Sequence, residues 1–175
     1  KNIQKYNSLI VNNDDKSTNA YKILRSINEA EVVPDIVTYN CLIYMSFNLD
    51  QSENSYSLYD EISEITAPVQ PDIITYNILF KGLVKEIRAN HENKPKIRDI
   101  IEKINKFKEE IKTRNLTYDD FTYNTLIDAY VESGELKQAW SVYEDMKNCT
   151  STKINRKEDK NSNETSIPQI LKPDV

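Results

Sequence analysis

The stretch Pro34-Asp35-Ile36-Val37-Thr38-Tyr39-Asn40-Cys41-Leu42-Ile43 returns almost unchanged as Pro71-Asp72-Ile73-Ile74-Thr75-Tyr76-Asn77-Ile78-Leu79-Phe80. A third copy reads Asp119-Asp120-Phe121-Thr122-Tyr123-Asn124-Thr125-Leu126-Ile127, and a shorter one reads Lys5-Tyr6-Asn7-Ser8. In the longer copies an aspartate stands five residues before the asparagine, and Asp174 recurs in the related context Lys172-Pro173-Asp174. Self-similarity over a few tens of residues marks stacked supersecondary units, none of which can bury its apolar face alone. A polar residue kept at one place in every unit is then presented in a row, and a row suits the reading of a linear polymer.

Aligned on Tyr-Asn, the units run 3–35, 36–72, 73–119 and 120–174. Each reads as two helices. The first carries apolar residues at helical spacing, such as Leu42, Ile43 and Phe47, or Leu79, Phe80 and Leu83. Thr38, Thr75 and Thr122 stand where an N-cap is expected. The second helix carries Tyr21, Leu24 and Ile27, or Leu58, Tyr59 and Ile62, or Ile104–Ile111, or Val142, Tyr143 and Met146. Turn-formers such as Ser133-Gly134 separate the two helices, and Pro34, Pro71 and Pro173 stop the second. Polar insertions near 88–98 and 150–169 are expected as loops at the edge of the stack. With Gly limited to Gly82 and Gly134, a barrel or sandwich with many tight turns is excluded. The expected fold class is all-α, a solenoid of stacked helix-turn-helix repeats.

Composition removes several kinds of chemistry. Cys41, Cys149 and His91 are too few and too scattered for a zinc or nucleophilic site, so both thiols read as structural and no metal or cofactor is implied. The paired acids Asp14-Asp15 and Asp119-Asp120 point apart if helical, which argues against a nuclease centre. No His-x-Glu with paired cysteines occurs, so a deaminase site is absent, and no catalytic residue is assigned. A net charge of −5 argues against indiscriminate phosphate binding. No run of apolar residues is long enough for a membrane span. Trp140 reads as an inter-repeat core residue, and the tyrosine of each Tyr-Asn as packing.

The Pro-Asp, aliphatic pair and Thr-Tyr-Asn order, with the run Phe121–Ala139 and the later Tyr143-Glu144-Asp145-Met146-Lys147, resembles pentatricopeptide repeats. The likeness covers nearly the whole chain outside the two insertions, and it implies a right-handed α-solenoid that binds single-stranded RNA, one base per repeat. In that family base choice rests mainly on the residue after the tyrosine and the last residue of the repeat. The resemblance pairs Asn7 with Asp35, Asn40 with Asp72, Asn77 with Asp119, and Asn124 with Asp174, and implies uridine, then cytidine, at each. An amide meets the N3–H and O4 of uracil together, and a carboxylate beside it fixes its orientation. The second residue of each repeat wedges the base; here these are Val37, Ile74 and Phe121, with Gln4 a departure. Of the phosphate-facing lysines expected at the thirteenth position only Lys85 is present, against Asp15, Asn48 and Glu132.

Two bland readings stand beside these roles, since Asn and Asp also cap helices. The chain is expected to be a piece of a longer array working on RNA in a mitochondrion or plastid. The competing expectation is a protein-interaction scaffold or a structural subunit of an assembly such as a mitochondrial ribosome, favoured by the net acidity and the missing lysines.

Overall fold

The computed structural model describes residues 20–162, with side chains described as far as Cys149. Asn7, Gln4, Asp14, Asp15 and Asp174 lie outside the described residues. The elements are α1 (Ala20–Glu29), α2 (Ile36–Asn48), α3 (Ser52–Ser63), α4 (Ile73–Ala89), α5 (Lys94–Thr113), α6 (Asp120–Glu132) and α7 (Leu136–Ser162). Among the described residues there is no strand. The hairpins α2–α3, α4–α5 and α6–α7 stack in chain order: α2 packs on α4 and α4 on α6, and each first helix also carries its own second helix. The molecule is an all-α solenoid.

The repeated motif starts each first helix, by a different residue than the sequence suggests. The N-caps of α2, α4 and α6 are Asp35, Asp72 and Asp119, and Thr38, Thr75 and Thr122 stand at the third helical position. Each aspartate accepts from the threonine amide, at 2.8, 2.9 and 2.7 Å, while its own amide donates back to the threonine hydroxyl. A carboxylate can accept from the helix amides and is favoured by the helix dipole, whereas a hydroxyl both accepts and donates and so serves as the return arm. Such a cap contributes about 1 kcal/mol.

Helix ends follow a second shared device. Glu31, Asp50, Asn115 and Gly134 have φ of 54, 59, 54 and 80°. Each closes its helix in the left-handed conformation, and the next amide reaches back to a carbonyl of the last turn, as Gln51 does to Ser46 at 2.8 Å.

Most of the first insertion, and the described part of the second, become helix rather than loop. α4 has 17 residues against 13 in α2, and α5 has 20 against 12 in α3, so only 90–93 remain between them. Asn93 caps α5, Pro95 fits its first turn, and Ile97, Ile100, Ile101 and Ile104 keep helical spacing through the added stretch. α7 likewise runs past Cys149 to Ser162, because no Gly or Pro interrupts the chain between Gly134 and Pro168.

The core lies between the layers. Phe107 of α5 meets Tyr59, Tyr76 and Phe80 edge-on at centroid distances of 5.2, 6.1 and 6.3 Å, tying the α2–α3 hairpin to the next. The hydroxyls of Tyr59 and Tyr76 both reach Glu110. Tyr76 is fully buried, while Tyr39 and Tyr123 are half-buried. Gly82 allows α4 to pass directly over the Phe47 ring of α2, where a Cβ would collide. Trp140 departs from expectation: it is 65% exposed and leans on Tyr143, since no described element covers that face of α7.

Candidate nucleic-acid interface

At the α2–α4 junction Asn40 Nδ2 donates to Asp72 Oδ1 at 3.2 Å, and its Oδ1 accepts from the Thr75 hydroxyl at 2.8 Å. The α4–α6 junction repeats the arrangement: Asn77 Nδ2 lies 3.2 and 3.1 Å from the two Asp119 oxygens, and Thr122 donates to Asn77 Oδ1 at 2.7 Å. The orientation of each amide follows from its partners, because a carboxylate only accepts and its neighbour must therefore be the NH2 end. Each aspartate thus both starts a helix and grips the asparagine of the preceding repeat. Capping and pairing are two uses of one carboxylate.

Burial restricts what the amides can do. Asn40 is 6% and Asn77 7% exposed, so each offers little beyond one remaining N–H and one lone pair. Burial alone would raise the Asp119 carboxyl, but the Thr122 amide and hydroxyl, Asn77 and the Phe121 amide outweigh it and hold it below the ordinary carboxylate value. The anion is therefore the resident form at neutral pH. Asn124 is exposed, and its intended partner Asp174 lies outside the described residues, as does Asn7, the intended partner of Asp35.

Val37, Ile74 and Phe121 each lie two residues after an N-cap and leave 51, 55 and 49% of their surface exposed. At the α4–α6 junction a cleft of ≈ 290 Å³ is lined by Ile74 and Phe121 together with Asn77, Asp119, Tyr44 and Lys81. A second cleft of ≈ 370 Å³ shares Tyr44, Ile78, Lys81 and Phe121 with it and extends along α4 to Lys85, Arg88 and Asp128. Apolar walls around a small polar floor suit a flat aromatic ring with an edge that hydrogen-bonds.

Lys85 is already engaged. Its ammonium donates to the Phe47 carbonyl at 2.9 Å and to Asp50 at 2.6 Å, bracing the end of α2. Arg88 bridges the other way, to Asp128 at 2.8 Å and Glu132 at 2.9 Å on α6. Two residues missed in the sequence, Tyr44 and Lys81, line both clefts. Lys81 was findable: it stands one helical turn beyond Asn77 and so shares its face. Among the described residues no cluster of three or more potential metal ligands occurs, and no helix is long and apolar enough to cross a membrane.

Comparison with known proteins bears on this geometry. The profile of the PPR repeat family matches residues 34–85 and 118–154, about half of the chain, and that of the pentatricopeptide repeat domain matches 1–48. No curated protein matches the chain. Among solved structures, the pentatricopeptide repeat protein PPR10 in complex with an 18-nt psaJ RNA element is similar at 20% identity and a TM-score of 0.67. A variant of that protein with cysteines replaced by serine, in complex with the same element, is similar at the same 20% identity and TM-score of 0.67. In both cases the similarity covers 86% of this chain but 20% of the other, so the chain spans about one fifth of the length of the structures it resembles. At that identity the likeness speaks for the stacking of the helices alone. The profile match, joined to a Tyr-Asn and Pro-Asp motif that starts one hairpin after another, places this chain in the pentatricopeptide repeat family.

Proposed function

We propose that the chain is a non-catalytic reader of single-stranded RNA that takes one base per repeat and prefers uridine. The repeats would be 3–35, 36–72, 73–119 and 120–174, with base-reading pairs Asn7/Asp35, Asn40/Asp72, Asn77/Asp119 and Asn124/Asp174. The observation that carries this reading is the same amide–carboxylate pair at two successive junctions, with a cleft between Ile74 and Phe121 at the second. A base held between those side chains would set its edge against the remaining N–H and lone pair of Asn77, while Asp119 keeps that amide from turning over. Val37 would wall the equivalent site one repeat earlier. The solved complexes of PPR10 with RNA support an RNA partner, and the family supports an organellar setting for RNA processing.

The net charge of −5 and the ion-paired state of Lys85 and Arg88 favour a second reading, a helical platform for other protein subunits. Filter binding of uridine, cytidine, adenosine and guanosine homopolymers separates the two. Uridine first and cytidine next supports base reading; equal binding, or none, supports the platform. Replacing Asn77 with Thr moves the family's code toward guanosine at one register and leaves the others alone. A preference that stays on uridine there overturns the assigned register.

A further inference from the structure

The cleft that holds Asn77 and Asp119 also holds a cation, and it is not the expected one. Three basic side chains follow one another along α4: Lys81, Lys85 and Arg88. Lys85 is bound to Asp50 and the Phe47 carbonyl, and Arg88 to Asp128 and Glu132. Lys81 differs. It is exposed and lines both clefts. Among the described residues its ammonium meets the Tyr44 ring, 5.8 Å from the centroid, and forms no salt bridge.

A cation resting over an aromatic face at an exposed site is held by only about 0.5–1 kcal/mol. It can leave for a phosphate without exposing a carboxylate. Lys85 is less free to move: transfer to phosphate would give up two contacts at once, with Asp50 and with the Phe47 carbonyl at the end of α2. Position agrees with energetics, because four residues of helix, a rise of about 6 Å, separate Asn77 from Lys81. That span suits a nucleotide whose base lies on the Asn77–Asp119 floor and whose phosphate lies beyond it.

We propose that Lys81, rather than Lys85, receives the phosphate of the nucleotide seated against Asn77 and Asp119, and that Asp50 withholds Lys85 from the RNA backbone. This rests on the RNA-binding reading above. The neighbouring repeats offer no equivalent, since Tyr44 and Asp128 occupy the same position in α2 and α6. Among the described repeats the backbone is therefore gripped at this one and lies loosely along its two neighbours.

The test is binding of oligouridine and oligocytidine to the full chain over a range of salt concentrations, with circular dichroism confirming that each variant is folded. Lys81→Ala is expected to weaken both RNAs by the same factor and to reduce the salt slope by about 0.7, the value for one phosphate on a single strand. Lys85→Ala is expected to leave the slope unchanged. Asp50→Asn, which keeps a side chain tolerant of the left-handed turn, is expected to tighten binding and steepen the slope by freeing Lys85. An unchanged slope in Lys81→Ala, or a slope lost in Lys85→Ala, overturns this inference while leaving base reading intact. Failure of the parent chain to bind either RNA overturns both.

Discussion

Gly82 and Asp119 show how much a single position decides here. Gly82 has no side chain because the Phe47 ring of the preceding repeat occupies the space a Cβ would need. Gly82→Ala is expected to destabilise the fold by about 1–3 kcal/mol through overpacking, read as a lower urea midpoint. Adding Phe47→Leu should recover part of the loss, since it removes the ring that clashes. Asp119 sets a pH dependence. Its carboxyl is held below its ordinary value in the folded chain, so its contribution is full above the unfolded value of about 3.9 and is lost as pH falls through the folded value. Asp119→Asn retains a capping side chain but removes the titration. Its urea midpoint should fall below that of the parent at pH 7, and the gap should narrow as pH is lowered beyond the unfolded value of about 3.9. The Asn–Asp pairing is what the family resemblance implies, and the recurrence of both residues in register agrees with it. The state of Lys85 is not legible in the sequence, because its partner Asp50 stands 35 residues away in a left-handed turn that no local pattern announces.

Among the elements, the ends are specified more tightly than the middles. The reciprocal Asp–Thr caps give α2, α4 and α6 the same start, so their first turns share one geometry and aim the fifth residue, Asn40 or Asn77, at the same junction. The stops are less well served. Glu31 holds a φ of 54° that only glycine adopts without cost. Glu31→Gly should therefore stabilise the chain by about 1 kcal/mol, visible as a raised thermal midpoint. The apolar periodicity of the helices is plain in the sequence, yet the added stretches of α4, α5 and α7 look like loops there. Polar composition suggests irregular chain, whereas Lys, Glu, Arg and Asn continue a helix that a core has already nucleated, and Pro95 sits in a first turn that tolerates it. Trp140 was misplaced for the opposite reason: a large aromatic suggests a core, but burial depends on a neighbour being there.

At the scale of the molecule, stability is passed between adjacent hairpins rather than drawn from one centre. Phe107 is the clearest joint, touching Tyr59 of one hairpin and Tyr76 and Phe80 of its own. Phe107→Ala should cost about 3–5 kcal/mol. Amide hydrogen exchange should show the loss concentrated in α3, α4 and α5, with α6 and α7 less affected. A uniform loss across all helices would mean that the stack unfolds as a single unit. Inter-repeat ion pairs, Lys85 with Asp50 and Arg88 with Asp128 and Glu132, cross the same boundaries on the exposed side and contribute little by comparison.

The double duty of Asp72 and Asp119 limits how such a protein can be retargeted. Under the proposed reading each is the second letter of one repeat and the first peg of the next hairpin. A change of letter to Asn or Ser keeps the peg. A change to an aliphatic residue loosens the helix that carries the following letter. The vocabulary open to evolution, or to a designer, is thereby confined to side chains that can begin a helix, and an error in spelling one base is transmitted as weakness to its neighbour.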